Sequence, residues 1–250
     1  FDSSVRPESL QRVSLRGQAL AADSAGRSLA AESIDVRFAP APGSDPQPTL
    51  LAARGEVEAV SAPSRLRSDE LDATIETNTE GQAAARVVTA RGSVRFDGRD
   101  ELRAESDELV ADVLGEQAEL AGTLVVLAQR SSSVSGERMR LDGRDSRLEV
   151  VGAGAFRHEG VNAAGEPRAA SARWSRSMTY SDRTGVLEAF GQTVADSISD
   201  PRTRERLTAE SVRLELTPAT DAVATSSPPS ATPDPTLPLT PSPPREVLRV

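Results

Sequence analysis

Apolar and polar residues alternate with a period of two along much of this chain. Val94 and Phe96 alternate with Ser93, Arg95 and Asp97; Leu148 and Val150 with Arg147 and Glu149; Val212, Leu214 and Leu216 with Arg213 and Glu215. Such alternation puts apolar side chains on one face of a strand and charges on the other. The turn signals agree. Asp97-Gly98-Arg99-Asp100 and Asp142-Gly143-Arg144-Asp145 repeat one tetrapeptide between alternating runs. Asp-Gly favours hairpins because both central residues tolerate φ > 0. Leu114-Gly115, Thr184-Gly185 and Glu80-Gly81 mark three further turns. The pattern predicts short antiparallel strands joined by tight turns, with one wet and one apolar face. A helix over Leu102–Val113 is the local rival, since Glu and Leu favour helices.

The strands repeat. Leu29-Ala30-Ala31-Glu32-Ser33-Ile34-Asp35-Val36 carries an apolar residue, a small residue at +2, then polar residues, then apolar residues at +5 and +7. Leu207–Leu214 and Val134–Leu141 follow it, the latter with Gly for Ala. Leu102–Leu109 keeps +7 but has Asp at +5, and Leu66–Leu71 keeps +5 with only Ala73 at +7. Between these copies a Gly precedes a larger apolar residue by two or three positions, at Gly55, Gly92, Gly122, Gly154 and Gly191. These glycines lie 37, 30, 32 and 37 residues apart. Periods of that size signal an array whose units bury their apolar faces only against neighbours.

Of the 17 prolines, 9 fall between Pro218 and Pro244. Pro lacks the N–H a ladder needs, so this stretch is read as a disordered or polyproline-like linker. The expected organisation is a lead-in over 1–14, a repeat domain over 15–216, a Pro/Ser/Thr-rich linker over 217–244 and the start of a further segment at 245–250. A short insert, Ala39–Pro46, is read as a loop between two strands. The opening at Phe1 and the apolar-charged close suggest a piece of a longer protein, with any targeting signal outside it.

Composition narrows the chemistry. The 250 residues include no Cys and one His, and all 29 basic residues are Arg, against 38 acidic ones. Absence of Cys removes disulfides, thiol nucleophiles and cysteine-ligated metals. Absence of Lys removes Schiff-base chemistry and the usual phosphate-binding loop. A net charge of −9 argues against sequence-independent nucleic-acid binding. The longest apolar run, Leu124–Ala128, is far short of the roughly 20 residues of a membrane span, so contact with a membrane is peripheral at most. With 37% hydrophobic and 3% aromatic residues, the core must be thin or spread along an elongated body.

The stretch Ala172–Val194, with Met178-Thr179-Tyr180-Ser181-Asp182, the turn at Gly185, Leu187-Glu188-Ala189 and Gly191-Gln192-Thr193-Val194, resembles the repeat of the OstA-like domains. These are lipopolysaccharide-transport proteins of the LptA, LptC and LptD N-terminal type. Ser181, between Tyr180 and Asp182, departs from the family's Tyr-Asp. Leu102–Val126 repeats the unit more loosely, through Ala104, Leu109, Asp112, Gly115 and Glu119-Leu120-Ala121-Gly122. The resemblance implies an all-β, elongated open β-jellyroll (β-taco) of stacked antiparallel hairpins. It implies a trough for the acyl chains of lipopolysaccharide or another acylated lipid. It also implies edge strands that join similar β-jellyroll domains across the periplasm of a Gram-negative-type cell, and no catalysis. The competing reading is a structural β-solenoid scaffold without a ligand.

Candidate groove residues are Val94, Phe96, Leu109, Leu124, Val126, Met139, Leu141, Leu148, Val150, Phe156, Met178 and Phe190. Arg91, Arg95, Arg99 and Arg103 are candidates for an anionic head group, or for plain pairing with Asp97, Asp100 and Glu101. Trp174 and Tyr180 carry polar handles that favour a boundary with water. His158 lacks a nucleophile elbow or ligand cluster beside it and is expected in a surface loop. The pairs Asp69/Glu70 and Asp107/Glu108 are expected as solvated positions rather than a glycosidase dyad. Asp97/Asp100 and Asp142/Asp145 lack the spacing of a Ca²⁺ loop. No catalytic residue, metal or cofactor is therefore assigned.

Overall fold

A computed structural model of the chain describes residues 10–23, 26–40, 46–77, 83–161, 167–200, 203–217 and 246–247. Fourteen strands follow one another: β1 (Arg12–Ala22), β2 (Ser28–Ala39), β3 (Gln47–Ser61), β4 (Ser64–Thr77), β5 (Ala83–Asp97), β6 (Arg103–Asp112), β7 (Gln117–Gln129), β8 (Ser132–Asp142), β9 (Arg147–Val161), β10 (Pro167–Trp174), β11 (Ser177–Ser181), β12 (Val186–Asp200), β13 (Thr203–Thr217) and β14 (Glu246–Val247). They form a single antiparallel meander in which each strand pairs with the next. Only β10 and β11 break the sequence: both lie between β9 and β12, as two halves of one bent strand. The segment Leu102–Val113 is strand β6, not a helix. The Pro-rich stretch and the Glu80-Gly81 turn lie outside the described residues.

Each strand bends at mid-length. Register slips by one residue between Arg16 and Ala19, Arg54 and Val57, Arg91 and Val94, and Phe190 and Thr193. At each slip a Gly-Xaa pair takes positive φ: Gly17-Gln18, Gly55-Glu56, Gly92-Ser93 and Gly191-Gln192. These are β-bulges, and a bulge bends its strand. The repeating glycines of the sequence are therefore corners inside strands. Gly92 shows why glycine is used: φ is +75°, and a Cβ there would lie 2.1 Å from Asp69 Oδ2. The partner strands keep pace through the step from +2 to +5 in their repeat, which moves the apolar face by one residue at the corner. Leu29, Ala31 and Ile34 are all buried on that count.

Aligned corners fold the sheet along one line into two walls, with inward side chains in rows. On the first wall Ile34, Ala53, Leu71, Ala90, Leu109, Leu120, Met139, Val150, Met178, Ala189 and Val212 stand opposite one another in turn. A second row on that wall runs from Val36 and Leu51 through Leu141 and Leu148 to Leu187 and Leu214. On the other wall one row runs Leu29, Ala59, Leu66, Phe96, Ala104, Leu127, Val134, Phe156, Ala172 and Ala195. The row beside the corner includes Val57, Val94, Val125, Gly136, Gly154 and Thr193. Both walls pack together in two core clusters, and Phe96 and Leu109 touch both clusters.

The hairpin turns differ from the Asp-Gly expectation in mechanism. Gly98 has φ −122°, and the positive φ values fall on Asp100, Glu101, Glu116 and Ser146 instead. These loops are four residues long after β6, β8 and β11 and five after β5, so the chain need not turn within two there. Asp112 and Asp142 accept the N–H of Gly115 and Asp145 at 2.8 and 3.1 Å, closing equivalent loops. The loops then stack. Gly143 N–H donates to the Glu116 carbonyl at 2.7 Å and Asp182 N–H to the Ser146 carbonyl at 2.9 Å. Arg144 and Arg183 guanidiniums donate to the Leu114 and Arg144 carbonyls, each one loop back.

Candidate functional site

The outer face carries the charges, in cross-strand order. Arg54, Glu70, Arg91 and Glu108 stand opposite one another on consecutive strands. Arg54 reaches Asp72 at 2.7 Å and Arg91 reaches Glu108 at 2.9 Å. Arg95 pairs with Glu105 and Arg103 with Asp97, at 3.8 and 3.7 Å. Such exposed pairs contribute roughly 0.2–1 kcal/mol each. Arg91, Arg95 and Arg103 are thus tied to carboxylates outside the trough. Asp69 and Asp107 sit at corners: Asp107 accepts the Thr123 N–H at 2.7 Å.

The inward face is the candidate site. Burial is greatest beside the corner and declines toward the mouth. Ala53, Val57, Ala90, Val94, Val125, Met139, Val150 and Met178 are 0–2% exposed, whereas Val36, Leu51, Ala59, Val88, Phe96 and Val134 are only partly buried. Among the candidate groove residues, Val94, Phe96, Leu109, Met139, Leu141, Leu148, Val150, Phe156 and Met178 lie on the inward rows. Leu124, Val126 and Phe190 do not. Leu124 is 61% exposed, while Val125 and Leu127 are buried. The slip between Ala121 and Val125 shifts the inward face by one residue, which simple alternation misses. Phe190 follows inward Ala189 and stands opposite Ser177 and Ser211 on the outer face.

Three polar residues were misplaced or missed by the sequence. Trp174 is 3% exposed, not at a boundary, and packs over Gly154, whose Cβ position lies 2.6 Å from Cζ2 of the ring. Its indole N–H and the hydroxyl of fully buried Thr193 have no hydrogen-bond partner. Tyr180 is half-buried and donates its hydroxyl to Asp182 at 3.1 Å. His158 lies within β9, two residues from inward Phe156, and its Nδ1 is 2.8 Å from the buried Ser132 hydroxyl. The alternation of Phe156 and His158 was the available signal for that placement. Among the described residues, no three His, Cys, Asp or Glu side chains gather as a metal site requires.

Residues 45–147, from just before β3 to the first residue of β9, match the family model described as LptA/(LptD N-terminal domain) LPS transport protein. This is the family that the repeats resemble. The matched LptA/LptD segment covers corners at Gly55, Gly92 and Gly122, and the same frame continues through β12 and β13 beyond it. The chain is an all-β, elongated open β-jellyroll of stacked antiparallel strands. Among solved structures it is similar to LptH from Pseudomonas aeruginosa, the LptA homologous periplasmic component of the conserved lipopolysaccharide transport device. That similarity has 14% identity and a TM-score of 0.38, over 58% of this chain and 94% of that one. No curated protein matches the chain.

Proposed function

We propose that this is a non-enzymatic lipopolysaccharide-transport domain of the periplasm, whose trough takes the acyl chains of lipopolysaccharide or a similar lipid. The carrying observation is the set of apolar rows, the longest continuous across eleven strand positions, and less buried toward the mouth. Each methylene removed from water contributes roughly 0.8 kcal/mol, so a chain of about ten gives roughly 8 kcal/mol before the cost of ordering it.

The same reading includes end-to-end joining with similar domains. Among the described residues, β1 is unpaired on its outer side, and β14 covers only Leu216 and Thr217 of β13. The two ends are complementary. At Gly55 and Gly92 the space a Cβ would take is filled by Glu32 and Asp69 of the preceding strand, whereas nothing lies within 4 Å of that position at Gly17. Glu210 holds the equivalent acidic place in the repeat of β13. Continuing the register sets Glu210 of one copy over Gly17 of the next, Val212 against Leu15 and Glu215 against Arg12. Main-chain pairing then supplies the affinity.

Native mass spectrometry of the full chain made in a Gram-negative host tests both parts. The expected spectrum holds a lipid adduct and a ladder of multimers, and Glu215→Arg loses the multimers while keeping the adduct. A bare monomer, even after exposure to lipopolysaccharide, overturns the reading and favours the scaffold.

A further inference from the structure

Apart from the small hydroxyls beside the corner, Ser68, Ser106 and Thr193, polar side chains that face into the trough gather near the end of one wall. Beyond Val134 and Phe156, the next inward position on consecutive strands is Gln129, Ser132 and His158, paired in that order. Gln129 and Ser132 are buried, and Ser132 and His158 are hydrogen-bonded. Arg168 continues this rim on β10. It lies four residues before inward Ala172 with no break in register, opposite Gly160, so it faces the same way. Its Nε is buried with no hydrogen-bond partner, and among the described residues no carboxylate pairs with it.

We infer that Arg168, His158, Ser132 and Gln129 form a head-group site for an anionic amphiphile, binding its phosphate or carboxylate above the apolar row of Phe156. This rests on the lipid reading and adds which end of the ligand sits where. A guanidinium Nε removed from water without a partner is unfavourable, and an anion there supplies charge-assisted hydrogen bonds. The remaining rim groups are neutral or potentially cationic donors, so they add to an anion's site. Glu205, the acid in line with His158, stands beyond Ala170 and Ser197 and is exposed. Of the four arginines considered from sequence, Arg91, Arg95 and Arg103 point outward to carboxylates. The head-group contact therefore moves from the outer face to Arg168.

Trp174, the only Trp, lies on the same strand and reports binding by its fluorescence. The full chain is titrated with dodecyl phosphate and with dodecyl maltoside, both below their micelle concentrations. The expected result is a preference of about tenfold for the phosphate, as one charge-assisted contact supplies. Arg168→Gln abolishes the preference with maltoside binding unchanged, which also reports an intact trough; Arg168→Lys retains part of it. Equal binding of the two probes by the parent chain, or a preference that survives Arg168→Gln, overturns the site. Binding of neither probe instead overturns the lipid reading on which the site rests.

Discussion

From β1 to β5 the buried apolar set is Ala19, Leu29, Ala31, Ile34, Ala53, Val57, Leu66, Leu71, Ala73, Ala90 and Val94, almost half of it alanine. From Leu102 to β12 the corresponding set holds Met139, Met178, Phe156 and Trp174 beside its leucines. The two halves share the rows and the meander, though the corner on β7 is a two-residue slip without a positive-φ glycine. Side-chain volume is therefore free to vary once the corners fix the backbone. The alanine-lined walls carry less side-chain volume per position, whereas the second half carries large residues in its rows. In the proposed function, the first half is accordingly the wider bed for acyl chains.

The strongest way to break this comparison is to empty each half in turn. Trp174→Ala removes the largest buried side chain of the second cluster and is expected to cost about 4 kcal/mol. Ile34→Val, at a site 1% exposed in the first cluster, is expected to cost about 1 kcal/mol. Urea unfolding followed by far-ultraviolet circular dichroism measures both. A cost for Trp174→Ala as small as that for Ile34→Val would mean that the second cluster is loosely packed around its largest side chain.

A smaller effect separates an enclosed corner from an end corner. Gly92→Ala meets both a backbone at φ +75° and the Asp69 carboxylate. Gly17→Ala meets only φ +74° in open space. The expected costs are about 2–3 kcal/mol and about 1 kcal/mol, by the same unfolding measurement. If Gly17→Ala costs as much in the monomer, the corner's price is set by the backbone alone and the empty place over Gly17 has no bearing on assembly. If instead joining occurs as proposed, Gly17→Ala also weakens the multimers.

These corners show what the sequence discloses and what it hides. Period-two alternation disclosed strands, and the spaced glycines disclosed a repeat, because both are local patterns of residue type. The inward face was harder. Met139, Val150 and Met178 could be read as core because each follows an unbroken alternation, but Leu124 and Val126 follow a corner that adds a residue. On β7 the Gly122 element offered Leu124 two positions on and Val125 three positions on, and the slip after Ala121 turned Val125 inward. Trp174 defeated a generic rule about polar handles, because Gly154 on the neighbouring strand leaves space for its ring. Arg168 was invisible for another reason: its significance comes from facing inward without a carboxylate, which only the register reveals.

The finest distinction concerns the ends against the middle, and acid titration reads it. Ser14 and Arg12 hydrogen-bond Asp35 and hold its carboxyl below its ordinary value of 3.8; Arg206 does the same for Asp196. The first tie links β1 to β2, the second β12 to β13, so both secure end strands. A lowered folded value means that the contribution is fully present above the ordinary value and is lost as pH falls through the lowered one. Asp35 is part-exposed and the Asp196 side chain mostly covered, but each ties an end strand to its inner neighbour, so the loss is local rather than global. Asp142, lowered mainly by the N–H of Asp145, belongs to a turn whose strands pair on both sides and is not expected to release them. Hydrogen exchange, corrected for the intrinsic pH dependence of its chemistry, should show β1 and β13 losing protection only as pH falls below the ordinary value of 3.8 and through the lowered ones, while β6 to β9 keep theirs. Asp35→Asn and Asp196→Asn should each remove the pH response at their own end alone. Uniform loss along the chain would place the acid-sensitive ties in the body of the sheet and remove the distinction between its ends and its middle.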